Sequence, residues 1–265
     1  MSRVLSIYVG FDSTEADAFD VCKYSIQKYA TQPIDVFPLK QHELREQGLY
    51  TRPIDQKASN EFSMTRWLTP YLSKTKYAIF MDCDMILTGD IFRLLDNLDD
   101  SKAVHVVQHD YVPKSSTKMS SGGVTKQQHV YPRKNWSSFV IWNCEHPAVA
   151  QVTPDLVNSC EPKYVHRFSF LQDDQIGDIG WWTTAQEGQE TIRVPRVNFL
   201  VGEYPQPNTL PLVLHYTLAI PAIHEGCGDC DFFREWMDVR AEMLLDRRLR
   251  QLEKRVLPTA VPRAA

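Results

Sequence analysis

The chain has 265 residues, with 29 Lys and Arg against 33 Asp and Glu, a net charge of −4, and 43% apolar and 11% aromatic residues. That is the composition of an ordinary globular protein, long enough to bury a full core without disulfide or metal staples. The negative balance excludes nucleic acid as the main partner, because neutralising phosphates needs a cationic surface. Six cysteines spread over this length do not form the framework of a small secreted domain, so a reducing, cytoplasmic setting is expected.

Met1-Ser2-Arg3 leads directly into a strand pattern with no apolar core of signal-peptide length, so export is not expected. Val4–Val9 reads as a strand, Gly10-Phe11-Asp12-Ser13 as a polar loop, and Ala16–Tyr29 as a helix with Phe19, Cys22, Ile26 and Tyr29 on one face. Ile34–Leu39 is a second strand, and Asn60–Leu72 reads as a helix. Tyr77–Met81, five apolar residues in a row, suits a strand covered on both faces of a mostly parallel sheet and is far too short for the roughly 20 residues of a membrane span. It stops at Asp82-Cys83-Asp84. Ala103–Val107, Phe139–Trp142, Val197–Val201 and Leu212–Leu214 are further strand candidates. Residues 110–135, with Lys114, Lys118, Lys126, Arg133, Lys134 and the Ser121-Gly122-Gly123 run, read as one long polar loop, of the kind usually reserved for function. Phe232–Val256 reads as a helix with Leu245, Leu249, Leu252 and Val256 on one face and six basic against three acidic residues from Arg240 to Arg255. The expected organisation is an α/β domain over residues 1–231 and a basic helix and tail over 232–265.

The chemical signal is Asp82-Cys83-Asp84 at the end of a buried strand. Two carboxylates there can hold Mg²⁺ or Mn²⁺ with open positions for substrate phosphates; the same triplet also suits a solvated turn capping the next helix. His215 follows the apolar Pro211–Leu214 segment and is either a third ligand or a structural histidine. Asp173-Asp174, among Leu171, Gln172, Gln175 and Ile176, is either an acid pair with mutually shifted ionisation or the acidic start of a helix. Trp181-Trp182 offers a stacking surface or simple packing. His224, Cys227 and Cys230 amount to half a zinc site, without a second cysteine pair to complete it.

The strand ending in Gly10-Phe11-Asp12, and Phe62–Leu72 running into Ile79-Phe80-Met81-Asp82-Cys83-Asp84, resemble the nucleotide-binding loop and the helix-Arg-strand-DxD block of GT-A glycosyltransferases. The likeness is to the family-8 type that includes glycogenin and lipopolysaccharide galactosyltransferases. His109-Asp110-Tyr111, Lys118-Met119, residues 130–138, residues 171–177 and His215-Tyr216-Thr217 are more similar still to a little-characterised group of bacterial and viral relatives.

The resemblance implies a GT-A-like α/β fold with a mixed, mostly parallel central sheet, and a metal-dependent glycosyltransferase with Mn²⁺ or Mg²⁺ as cofactor. The sugar would move from a nucleotide-diphosphate donor, UDP before GDP, to a saccharide or glycolipid acceptor. Asp82, Asp84 and His215 match the metal ligands. Val9, Gly10, Phe11, Asp12, Arg66, Asp82, Asp110, Lys118, Arg133, Asn135, Trp136 and Ser137 match donor-binding positions, and Asp173 or Asp174 supplies the catalytic carboxylate. Two departures stand out: Trp136-Ser137-Ser138 replaces the type's Asn-x-Gly, and Leu218–Pro221 lacks the lysine that contacts the diphosphate, leaving Lys118, Arg133 or Lys134 to replace it. The alternatives are a nucleotidyltransferase of similar fold, which needs a basic Gly-rich first loop, and a sugar-binding module without catalysis. The basic C-terminal helix adds the expectation of peripheral contact at the inner membrane face.

Overall fold

A computed structural model describes residues 4–55, 58–120, 124–180, 182–187, 190–225 and 227–256. Strand β1 (Leu5–Gly10) leads through a short turn into helix α1 (Ala16–Tyr29), β2 (Ile34–Leu39) and α2 (Gln41–Glu46). A 3₁₀ turn (Thr65–Leu68) runs into α3 (Thr69–Leu72), then β3 (Tyr77–Met81), β4 (Met85–Leu87) and β5 (Val104–Val106). The hairpin β6 (Thr117–Ser120) and β7 (Val124–Gln127) precedes β8 (Phe139–Asn143), α4 (Pro154–Ser159), α5 (Pro162–His166) and β9 (Ile176–Asp178). The chain closes with β10 (Trp182–Glu187), β11 (Glu190–Pro195), β12 (Phe199–Leu200), β13 (Val213–His215) and α6 (Phe233–Val256).

The central sheet has the order β2-β1-β3-β8-β5-β9. β1 pairs in parallel with β2 and β3, β5 with β9, and only β8 runs against its neighbours. The largely apolar β1, β3 and β8 are buried apart from the half-buried Tyr77, as expected of strands covered on both faces. A three-stranded sheet, β12-β13-β4, stands beside it, and the chain passes from one sheet to the other within Asp82-Cys83-Asp84. Among the described residues no helix is long and apolar enough to cross a membrane.

Two expectations change, over Asn60–Leu72 and over the long polar loop. The helix read over Asn60–Leu72 contracts to the 3₁₀ turn and the single turn of α3, since Asn60–Met64 forms turns whose Phe62 ring packs on β1. At Gly10 an added Cβ would lie 2.4 Å from that ring, so no larger residue fits under it. The long polar loop contains the β6–β7 hairpin, and Met119 donates its N–H to the Leu218 carbonyl at 2.9 Å; Ser121-Gly122-Gly123 and Trp181 lie outside the described residues. The leucine face of α6 does not meet the core. Leu245, Leu249 and Leu252 are exposed, while Trp236, Val239 and Met243 are buried.

Those buried residues join α6 to the α/β body. Trp236 packs edge-on against Tyr216 with ring centroids 5.0 Å apart, and the Tyr216 hydroxyl donates to the Phe232 carbonyl at 2.7 Å. Arg240–Asp17 at 2.6 Å, Arg247–Asp20 at 2.9 Å and a Lys28–Glu242 pair tie the helix along α1. Partly exposed ion pairs of this kind contribute about 0–1 kcal/mol each, so the apolar face dominates. Trp236→Ala should therefore lower the unfolding free energy by about 3–5 kcal/mol in urea titrations, whereas Leu249→Ala should change it by about 0.5 kcal/mol or less.

Candidate active site

The turn after β3 is fixed at both ends. Asp82 donates its N–H to the Ser138 carbonyl at 2.9 Å, and the Asp84 carbonyl accepts from the Tyr216 N–H at 2.9 Å. Cys83 between them is buried in the core, which turns the two carboxylates to the other side. β13 pairs antiparallel with β4 in a register that sets His215 opposite Met85, one residue from Asp84. Asp82, Asp84 and His215 thereby each offer a ligand atom, all within 4.8 Å of one another.

The orientation of His215 follows from Asn198, a residue that sequence reasoning missed. The Asn135 carbonyl can only accept, so the Asn198 atom 3.2 Å from it is the amide nitrogen. The same nitrogen donates to Ser138 Oγ at 3.0 Å. Asn198 Oδ1 therefore faces His215 Nδ1, at 2.7 Å, and must receive its proton. That leaves Nε2 aimed at Asp84 Oδ1, 3.2 Å away. A proton or a metal cation must sit between two such electron-rich atoms, and an imidazole fixed by a second partner on its other nitrogen is the usual arrangement of a metal ligand. Asn198 adopts φ 52, a left-handed conformation that asparagine tolerates better than most residues. An isolated Asn before a strand gave no sign of this in the sequence.

Asp82 is held from the other side. Arg66 NH1 lies 2.9 Å from Asp82 Oδ1 and donates to the Ser137 carbonyl at 2.9 Å, with its guanidinium over the Phe80 and Phe62 rings at 4.9 and 5.3 Å. Burial pushes Asp82 up to about 6, opposed by Arg66 and reinforced by the Asp84 carboxylate. Burial also opposes charge on Asp84, but His215 and then Lys118 override it and hold that carboxyl below its ordinary value. Buried Asp82 Oδ1 faces Arg66 and buried Asp84 Oδ1 faces His215. Two such carboxylates beside an oriented imidazole fit a hard divalent cation such as Mg²⁺ or Mn²⁺.

Arg66, Asp82, Lys118, Asn135 and Ser137 line one cavity of about 450 Å³, within the range of small-molecule sites. A second of about 720 Å³ adjoins it through Ser59, Asn60 and Ser63 and carries Asp12, Tyr50 and Arg52. Lys118 also faces a third cavity with Asp84, Glu15, Tyr216, Thr217 and His224. Lys118 thus stands at the junction of the metal pair and the cleft. Asp12 is buried and accepts from the Thr14 and Glu61 N–H groups, Val9 lies in the core of β1, and Phe11 packs partly buried against it. Glu15 and His224, paired at 3.2 Å beside Asp84, were not read as site residues.

Other positions stand apart. Trp136 donates its indole N–H to the His109 carbonyl at 3.0 Å, Arg133 donates to the Arg167 carbonyl at 2.8 Å and pairs with Asp173 at 2.5 Å, and Asp110 is exposed. None of the three lines the cavities around the carboxylates. Asp173 and Asp174 form an exposed 3₁₀ turn. The Asp174 carbonyl accepts from Lys102 Nζ at 2.7 Å, and the Gln175 carbonyl from the Ala103 N–H at 2.9 Å. That fixes the backbone of the pair where β5 begins, while the Asp173 carboxylate faces Arg133, which also holds the carbonyl of the cavity-lining Arg167. Asp173 and Asp174 do not themselves line the cavities beside the carboxylates. His224, Cys227 and Cys230 likewise do not converge: among the described residues the only such cluster of possible ligands is Asp82, Asp84 and His215.

An Asp-x-Asp turn at the end of a parallel strand, backed by a histidine from a second small sheet, belongs to a GT-A-like fold, and solved structures of that fold superpose on the chain. The bifunctional glycosyltransferase WbbM matches with TM-score 0.59 at 12% identity over 91% of this chain and 50% of its own. The glycosyltransferase GlyE of Streptococcus pneumoniae TIGR4 gives 0.53 at 13% identity, covering 93% of this chain and 63% of that one. The galactosyltransferase LgtC, solved with donor and acceptor sugar analogues, gives 0.53 at 11%, covering 89% and 95%. The chain thus spans half the length of WbbM and under two thirds of GlyE. No family model matches it. Protein CDI of Arabidopsis thaliana is 41% identical over 237 residues, which take in 89% of this chain and 86% of that protein. The chain belongs to the family of Protein CDI.

Removing the second partner of a ligand histidine commonly costs about 10–100-fold in metal affinity. Asn198→Ala should show a loss of that size in Mn²⁺ titrations by calorimetry, with the circular dichroism spectrum unchanged.

His109 and His166 are lowered to about 3 by burial, so both are neutral when folded and take up protons on unfolding below about 6.5. Their contribution to stability is complete above that pH and is lost as pH falls from 6.5 toward 3. These two histidines together should lower the unfolding free energy by about 2–3 kcal/mol at pH 5.5 relative to pH 7.5, partly offset by Asp82, and substituting either histidine with glutamine should remove about half of their share.

Proposed function

We propose that this chain is a metal-dependent glycosyltransferase that moves a sugar from a nucleotide-diphosphate donor, UDP in preference to GDP, to a saccharide or glycolipid acceptor. The observation that carries the reading is the Asn198–His215–Asp84 alignment beside Asp82, a ligand set oriented before any cation arrives. The galactosyltransferase LgtC, with the same fold, was solved with donor and acceptor sugar analogues.

Asp82, Asp84 and His215 would hold Mn²⁺ or Mg²⁺, whose contribution is to neutralise charge on the departing diphosphate. Arg66 keeps Asp82 in place from behind. Lys118 takes over from the missing lysine after His215, because its side chain faces both carboxylates and both cavities. The adjoining cleft with Asp12, Tyr50 and Arg52 would take the nucleoside, and Asn135 and Ser137 supply polar contacts near the transferred sugar. A nucleotidyltransferase fits less well, since Gly10-Phe11-Asp12-Ser13 has one glycine and no base, and Phe62 fills the space above that glycine. The exposed Leu245, Leu249 and Leu252, with Arg247 and Arg248 on the same helix, support peripheral contact with an anionic membrane surface.

Asp84→Ala and His215→Ala should each abolish Mn²⁺-dependent binding of UDP in calorimetry while the fold is kept. Lys118→Ala should weaken UDP binding much more than uridine binding. Equal Mn²⁺-dependent affinity in all three variants would refute the assignment.

The acid pair is tested separately. If Asp173 or Asp174 acts at the reacting carbon, one of Asp173→Asn and Asp174→Asn should lose about 10²-fold in turnover with donor binding retained. Near-normal rates in both would show that sugar transfer does not use this edge of the sheet.

A further inference from the structure

The segment from Leu218 to Phe232 carries a Cys-x-x-Cys pair that the site does not use. Cys227 Sγ lies 2.7 Å from Cys230 Sγ and 3.2 Å from the Ala219 carbonyl. Cys227 is buried and Cys230 half-buried, so one sulfur is sheltered and the other accessible. Ala219 and Ile220 line the cavity beside Asp84, together with His224, whose ring accepts from the Ile220 N–H at 2.9 Å. Cys227 therefore touches the wall of that cavity through the Ala219 carbonyl, with Cys230 against its sulfur.

We infer that Cys227 and Cys230 form a reversible thiol–disulfide site that holds the Ala219 wall when reduced and releases it when oxidised. The oxidant class is a small disulfide such as oxidised glutathione. The Cys230 thiolate attacks one sulfur of the oxidant and expels the first thiolate. The Cys227 thiolate then attacks the Cys230 sulfur of the mixed disulfide, expelling the second. Two protein thiols become one disulfide, one oxidant becomes two thiols, and both protein protons pass to the departing thiolates. Once Cys227 has lost its S–H, the Ala219 carbonyl has lost that donor.

Chemistry favours this pair over the other cysteines. The contact with Cys227 lowers the Cys230 thiol, which raises its thiolate fraction. Burial holds the thiols of Cys22 and Cys83 well up, pushes Cys144 to about 11 and raises Cys160.

The test needs neither metal nor sugar donor, so its outcome is independent of the proposed transferase activity. The whole protein is equilibrated in glutathione redox buffers, quenched with a maleimide tag and mapped by mass spectrometry. Two of the six thiols should lose their tags together, recovered as a 227–230 linkage and restored by dithiothreitol. In Cys227→Ser the remaining Cys230 should capture glutathione as a mixed disulfide, and in Cys230→Ser the sheltered Cys227 should stay reduced. Amide hydrogen exchange over residues 219–224 should quicken in the oxidised protein. Stable glutathione adducts in the unsubstituted protein, or first loss of tags at Cys144 or Cys160, would overturn the pairing. Linkage with unchanged exchange over 219–224 would overturn its hold on the wall.

Discussion

The antiparallel register between β4 and β13 is the constraint on which the site depends. β4 begins one residue after Asp84, and pairing His215 with Met85 brings an imidazole to the carboxylate from a segment far along the chain. A slip of one residue would turn His215 to the other face of the small sheet, because side chains alternate along a strand. The Tyr216 N–H on the Asp84 carbonyl and the Trp236 ring on Tyr216 lock that register from behind. A helix that looks peripheral in the sequence thus holds a ligand two layers away.

Electrostatics at the pair divide along the same geometry. Asp82 faces an arginine seated on two phenylalanine rings, and Asp84 faces a histidine turned by an amide. The two carboxylates are side by side yet pushed in opposite directions. Burial disfavours charge on both carboxyls, and Arg66 beside Asp82 and His215 with Lys118 beside Asp84 oppose it.

How much of this could be read beforehand depended on whether the signal was local. β2, β3 and α1 coincide with the segments expected from apolar periodicity, because those patterns report burial directly. The triplet after β3 and His215 were legible because strand ends are where such folds place ligands. Asn198 and Glu15 were not, since their roles come from contacts across the sheets and not from residue type or spacing. The stripe of Leu245, Leu249 and Leu252 did not show which way the helix turns. α6 has two apolar faces, and only the fold decides that the one with Trp236 and Met243 turns inward.

The single reversed strand of the central sheet has one further effect. Because β8 runs against both β3 and β5, Val106 ends one strand at the same edge where Phe139 begins the other. The described residues between 107 and 138, with β6, β7 and Lys118 among them, leave and re-enter the sheet at the strand ends on the side of the carboxylates. Such a segment can grow or shrink with no strand shifting, at a closure cost of only about 0.6 kcal/mol for each doubling of its length. The scaffold therefore lets this stretch carry Lys118, Asn135 and Ser137 to the cleft while Asp82, Asp84 and His215 stay where the two sheets put them.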